Sequence, residues 1–241
     1  MIGRSPVAQI HPKSRRAQLD CADRSLSIIE MLSSTSLLLL GFVLGMRHAT
    51  DADHVVAVTT IVGNRSSLWS ASAVGALWGI GHTVTILLVG GAIVVFRLTI
   101  PPRLGLAMEF SVAIMLIALG AMNLSGRAGR STNSTTRPVI VGFVHGLAGS
   151  AFIALLVVAA VPGAWMGLGY LALFGLGTIA GMALITFTIA VPSTYAARKF
   201  GLMQGALRLA SGVASVAFGL FLAGQGISAG LFSTLPQWTP R

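Results

Sequence analysis

Charge is scarce in this chain of 241 residues: six are acidic and 9% are charged in all, against about a quarter in a soluble domain. A water-soluble globule is therefore excluded as the first reading. Cysteine is nearly absent too. The single Cys21 rules out an intramolecular disulfide, a CxxC redox pair and a thiolate zinc site, and with them a thiol-disulfide carrier. There is no GxxxxGK[ST] motif, so the chain carries no P-loop ATPase of its own. The net charge is +10, but no clustered basic face on a soluble domain accompanies it, which argues against nucleic acid as a partner. Basic residues in loops and tails beside anionic lipid explain the excess.

What the chain has instead is apolar sequence, 54% of its residues. It comes in runs of about 20 or more, long enough to cross a hydrocarbon core as helices. Six runs are expected to span: 33–62, 68–96, 104–124, 138–161, 166–191 and 207–226. The first 30 residues are polar and basic, with no signal-peptide cleavage pattern, and read as a disordered tail. Met31, just before the first run, is a second candidate start. Residues 31–124 form a first group of three spans, 125–137 a polar linker, 138–226 a second group, and 227–241 a C-terminal tail. Trp69, Trp165 and Tyr195 fall near span ends, where amphipathic aromatics prefer to sit.

The two groups look related. GFVLG (41–45) returns as GFVHG (142–146), and LWGIG (77–81) as LFGLG (173–177). An odd number of spans per group makes equivalent spans cross in opposite directions. The expected fold class is thus an all-α integral membrane protein of about six transmembrane helices in a 3+3 inverted repeat. GxxxG spacing at Gly41/Gly45, Gly75/Gly79, Gly142/Gly146 and Gly177/Gly181 reads as close helix packing.

The few ionisable residues are concentrated. RHATDADH, Arg47 to His54, places Arg, two His and two Asp inside the first span. An Asp at mid-membrane costs about 2.5–3.5 kcal/mol on insertion scales, so such residues are read by default as an ion or proton path. On a continuous helix, at about 100° per residue, His48, Asp51 and His54 share a sector of roughly 120°, while Asp53 points elsewhere. A break near Gly45–Arg47 is the alternative, and it would let all four converge. The rival for the whole cluster is a structural ion-pair network around Arg47. Imidazole with carboxylate suits nickel, cobalt, zinc or copper(II) better than magnesium or calcium. The candidate metal residues are His48, Asp51, Asp53, His54, His82 and His145. His82 alone reads equally well as a hydrogen-bonded core histidine. His145 aligns by the repeat with Leu44, one helical turn from His48. Glu109 is expected to be an interfacial charge, and Asn123 a polar residue at a loop edge.

RHATDADHVVAV resembles the HxxxxDH signature of the nickel/cobalt transporter family of membrane permeases, through His48, Asp53 and His54. WGIGHTVTILLVGG is similar to that family's second histidine motif. GFVHGLAGSA and LFGLGTIAGMALIT look like its short six-span branch, labelled urease-accessory or high-affinity nickel-transport. The resemblance covers roughly residues 35–225. It implies passage of Ni²⁺ or Co²⁺ through the bacterial inner membrane, with His48, Asp53 and His54 as main ligands and His82 beside them. No resident cofactor is implied, only the transported ion. The partners implied are membrane lipid, the metal ion and downstream metallochaperones of urease, hydrogenase or cobalamin pathways. A homo-oligomer is compatible with the sequence. Longer members carry further acidic motifs that are absent here, and related efflux systems share the plan, so export stands beside uptake. A bis-His haem electron carrier is the rival class. A metal-dependent enzyme ranks last, because no separate nucleophile or general base accompanies the cluster.

Overall fold

The computed structural model describes residues 35–62, 68–98, 100–126, 135–161, 163–199 and 201–232. The polar N-terminal tail, Cys21, Met31 and most of the linker lie outside them. The chain divides into two units, Met1–Leu39 and Leu40–Arg241. Of the first, only the opening of one helix is described; everything below concerns the second.

All regular structure among the described residues is helical. Helix α1 is Thr35–His48 and α2 is Ala52–Val62. Helix α3, Leu68–Thr85, continues through one π turn at Ile86–Gly90 into α4, Gly91–Phe96. Then follow α5 (Pro102–Leu124), α6 (Thr136–Ala160), α7 (Ala164–Lys199) and α8 (Gly201–Ser228). Among the described residues, four stretches are long and apolar enough to cross a membrane: Leu68–Phe96, Pro102–Leu124, Ala164–Pro192 and Gly205–Ser228. Their boundaries follow local chemistry. Pro102 sits in the first turn of α5, where its missing N–H costs nothing. Pro192 lies inside α7, so the helix runs on to Lys199 instead of stopping at 191 as hydropathy implies. Membrane helices tolerate such a proline where neighbours satisfy the freed backbone groups.

Equally apolar helices take different places. The apolar windows of Leu68–Phe96 and Ala164–Pro192 are 56% and 44% buried, those of α5 and α8 only 28% and 17%. Thus α3 and α7 are central, while α5 and α8 present Ile114, Leu209, Leu220 and Phe221 outward. Trp69, Trp165 and Tyr195 are exposed near helix ends. The buried core joins Val58, Trp78, Leu116 and Met182 from four different helices.

Glycines decide which helices touch. A Cβ on Gly45 would collide with the carbonyl of Phe174, and one on Gly142 with the carbonyl of Trp78. So α1 lies against α7 and α6 against α3, backbone on backbone, as small residues permit in lipid. The order of contacts gives direction. Gly41 meets Tyr170 and Gly45 meets Phe174, so α1 and α7 run the same way; Gly142 meets Trp78 and Gly146 meets His82, so α3 and α6 do too. In contrast, Gly75 faces Met182, Gly79 faces Ile179 and Gly175 faces Thr83, an antiparallel α3–α7 pair. Gly226 against Phe110 and Gly212 against Leu124 make α5–α8 antiparallel as well. Two buried hydroxyls reinforce the central contacts: Thr83 donates to the carbonyl of Gly175 at 3.0 Å and Thr85 to that of Phe143 at 2.9 Å.

Candidate metal centre

The first apolar run is not one helix. It ends at His48, turns through residues 49–51 and restarts at Ala52. The break falls slightly after the Gly45–Arg47 position expected from sequence. Local hydrogen bonding explains the place. The Thr50 hydroxyl donates to the Arg47 carbonyl at 2.6 Å, and the Thr50 N–H donates to the same oxygen at 2.8 Å. The Val55 N–H donates to the Asp51 carbonyl, opening α2. The C-terminal end of α1 and the N-terminal end of α2 therefore meet at the motif. The first favours a cation and the second an anion, and Asp53 lies in the first turn of α2.

Four histidines and Asp53 converge there from four helices. His48 Nε2 is 3.2 Å from His82 Nε2. Asp53 uses its two oxygens separately: Oδ1 is 3.1 Å from His54 Nδ1 and Oδ2 is 3.1 Å from His145 Nε2. The same Oδ1 accepts the His54 backbone N–H at 2.9 Å. The His54 and His145 ring centroids are 4.2 Å apart. His54, His82 and His145 are buried; His48 is 18% exposed and Asp53 30%. Three buried ring nitrogens, His54 Nε2, His82 Nδ1 and His145 Nδ1, have no hydrogen-bond partner. Leaving such groups unpaired costs about 1–3 kcal/mol each, which a bound cation would recover at whichever of them it ligates.

Asp51 stands outside this knot. Its carboxylate is exposed and lies 2.8 Å from Nδ1 of His48, the nitrogen turned away from His82. A carboxylate so placed fixes the tautomer and aim of a ligating histidine. Arg47 is exposed, and its carbonyl, through Thr50, is what shapes the turn. The aspartates pair with histidines, so the cluster is not an ion-pair network built around Arg47. His82 is buried with one nitrogen hydrogen-bonded to His48 and the other, Nδ1, without a partner.

Two aromatic residues that sequence reading passed over wall the site. The Trp78 ring stacks on His54 with centroids 5.8 Å apart and meets His145 edge-on at 5.6 Å. Phe174 lies 5.5 Å from His48. The available signal was spacing: Trp78 precedes His82 by four residues, one helical turn, and Phe174 holds Trp78's place in the second LxGxG stretch. Glu109 is exposed near the start of α5 and is not part of the cluster. Asn123 departs from its expected place at a loop edge. It is buried, donating to the Arg208 carbonyl at 3.2 Å and to Ser211 Oγ at 3.0 Å, because α8 crosses the end of α5 there.

Two groups of side chains have ligand atoms mutually within 4.8 Å: His48, His54 and His82; and Asp53, His54 and His145. Three imidazoles in the first group, and two imidazoles with a carboxylate in the second, are chemistry for a borderline divalent transition metal.

The chain is similar to the urease accessory protein UreH of Bacillus sp. (strain TB-90). The two are 35% identical over 224 residues, which is 85% of this chain and 98% of that protein. It is also 27% identical over 205 residues to the chloroplast protein FOR GROWTH AND FERTILITY 2 of Arabidopsis thaliana, covering 75% of this chain and 54% of that one. No family model matches the chain, and no solved structure does.

Proposed function

The chain belongs to the nickel/cobalt transporter-like family of the urease accessory protein UreH, and from that premise we propose that it is a membrane permease for a divalent transition metal ion, nickel or cobalt. One observation carries the reading. Four imidazoles and a carboxylate from four helices gather in two overlapping groups, inside a chain whose apolar stretches otherwise hold almost no charge. The ion is cargo, not a resident cofactor, and the protein is no enzyme.

In this reading α1 with α2, and α6, join the four long stretches to make six spans of a multi-pass inner-membrane protein in its short urease-accessory branch. The two halves form a 3+3 inverted repeat. Its support is the pairing described above: α3 and α7 carry matching sequence and run antiparallel, and the third helices of each half, α5 and α8, run antiparallel too. The site then lies where the halves meet, the usual place in such folds. A hydrated ion exchanges water for His48, His54 and their neighbours, and is released on the other side as the α5–α8 pair shifts against the α1–α3–α6–α7 core. The urease-accessory relative suggests the use: nickel delivered onward to metallochaperones that supply an enzyme.

The haem alternative does not suit the geometry. A macrocycle needs a flat slot between two axial imidazoles. Here the histidine rings touch one another, with centroids 4.2 to 5.8 Å apart, and Trp78 closes one side.

The deciding experiment follows labelled nickel and cobalt in cells making wild type or His54→Ala at matched membrane levels, with zinc and manganese as controls. Accumulation above background that vanishes in the variant establishes uptake through this site. Accumulation below background that the variant restores establishes export. No change in any of the four metals refutes the permease.

A further inference from the structure

The two ligand groups are not one shell. His48 and His82 come from α1 and α3, whereas Asp53 and His145 come from α2 and α6. His54 alone belongs to both groups. The first group is three imidazoles and carries no charge when ready to ligate. The second is two imidazoles and a carboxylate, with one negative charge. One pair in the first group and two in the second stand at the spacing that a metal wants. At metal–nitrogen distances of 2.0–2.1 Å, two ligands of a tetrahedral ion stand roughly 3.3 Å apart. His48 Nε2 and His82 Nε2 are separated by 3.2 Å, and the Asp53 oxygens stand 3.1 Å from His54 and from His145. Each group also has its own opening: His48 is the partly exposed member of the first and Asp53 of the second, while His54 between them is 1% exposed.

We propose, resting on the permease reading, that the centre is two overlapping positions for a single divalent ion, one of three imidazoles and one of mixed nitrogen and oxygen, joined by His54. A neutral imidazole has one lone pair to give, so His54 serves one ion at a time and the positions fill alternately. Passage is then a handover. The bonds to His48 and His82 are given up as those to Asp53 and His145 form, or the reverse, and the ion never faces the buried centre with a full complement of ligands missing. A permease gains from this: each half-set is weaker than a closed shell of five, so the ion is held and still released.

Cobalt(II) titration of the purified protein in detergent, followed by visible absorption and X-ray absorption at the cobalt edge, tests the proposal. Wild type is expected to take one ion per chain. His145→Asn and His82→Asn are each expected to take one ion as well, about tenfold more weakly. Their coordination should differ: all nitrogen in the first, nitrogen with carboxylate oxygen in the second. His54→Asn should lose affinity at least a hundredfold. The alanine versions, with helix content checked by circular dichroism, guard against a folding defect or ligation by the new amide. Two ions per wild-type chain, identical spectra in the two variants, or loss of binding in both to the level of His54→Asn would each overturn the handover and leave the permease standing. A wild type that binds no cobalt refutes the permease reading and the handover together.

Discussion

Asp53 and His145 are 92 positions apart in the chain, yet Oδ2 of the first lies 3.1 Å from Nε2 of the second. That contact ties the start of α2 to the middle of α6. It also gives the only carboxylate in the two ligand groups a place between two imidazoles.

Asp53→Asn keeps the shape and removes the charge. Cobalt should still bind within about tenfold of wild type, through the three-imidazole group, a loss of about 1.4 kcal/mol. Accumulation of metal in cells should nonetheless fall to background. Calorimetric titration and uptake on the same variant check both halves; transport persisting at the wild-type rate would remove Asp53 from the path.

Asp51→Asn tests a different role. The carboxylate touches His48 on the nitrogen away from the cluster, so its loss should loosen the aim of the ring without deleting a ligand. Outer-shell changes cost about 10–100-fold in metal affinity. Asp51 is exposed, which places this one at the lower end. A cobalt spectrum unchanged in shape, at about tenfold weaker binding, is the expected result; a spectrum that loses an oxygen ligand would make Asp51 a ligand itself.

Glycine substitutions should separate contact from conformation. Gly142→Ala drives a methyl into the backbone of α3 at Trp78, and overpacking of this kind costs about 1–3 kcal/mol. Gly224→Ala, on the outer helix α8, meets nothing within 4 Å, and gains the roughly 1 kcal/mol by which alanine exceeds glycine in a helix. Thermal melts in detergent should therefore move in opposite directions.

Asn123→Leu removes the donors that join α5 to α8 at Arg208 and Ser211. Hydrogen bonds between membrane helices average about 0.6 kcal/mol, and the amide oxygen already lacks a partner. The expected loss of stability is thus about 1 kcal/mol or less, with cobalt binding unaltered. A large drop in cobalt affinity would show that the α5–α8 pair governs the site directly.

Much of the centre was readable in advance because intramembrane ionisable residues are so costly that their mere presence marks them. His48, Asp53 and His54 stood out in one short motif, and the repeat drew His145 to them across the linker. The position of Asp53 was harder. Helical periodicity turns it away from His48, and the break at residues 49–51 sets it in the first turn of α2, where it meets His54 and His145 instead. That break rests on one threonine hydroxyl and one N–H sharing the Arg47 carbonyl, too local a matter for hydropathy to register. Trp78 was hidden among apolar neighbours of similar weight. The division into central and outer helices was hidden for a related reason: lipid and protein interior are both apolar, so α5 and α7 look alike until their neighbours are known. Asn123 shows the converse, a polar residue near a helix end that a crossing helix buries.

The glycine-lined pairing of α1 with α7 and α3 with α6 bears on how the chain is made. Both α1 and α3 complete a close backbone contact with a segment that leaves the ribosome much later. During synthesis the early half therefore waits with bare backbone grooves and with His48, His54 and His82 uncovered. Only the arrival of α6 and α7 seals them, so a chain stopped at the linker should be a target for membrane quality control, and two halves expressed separately should survive only when both are present.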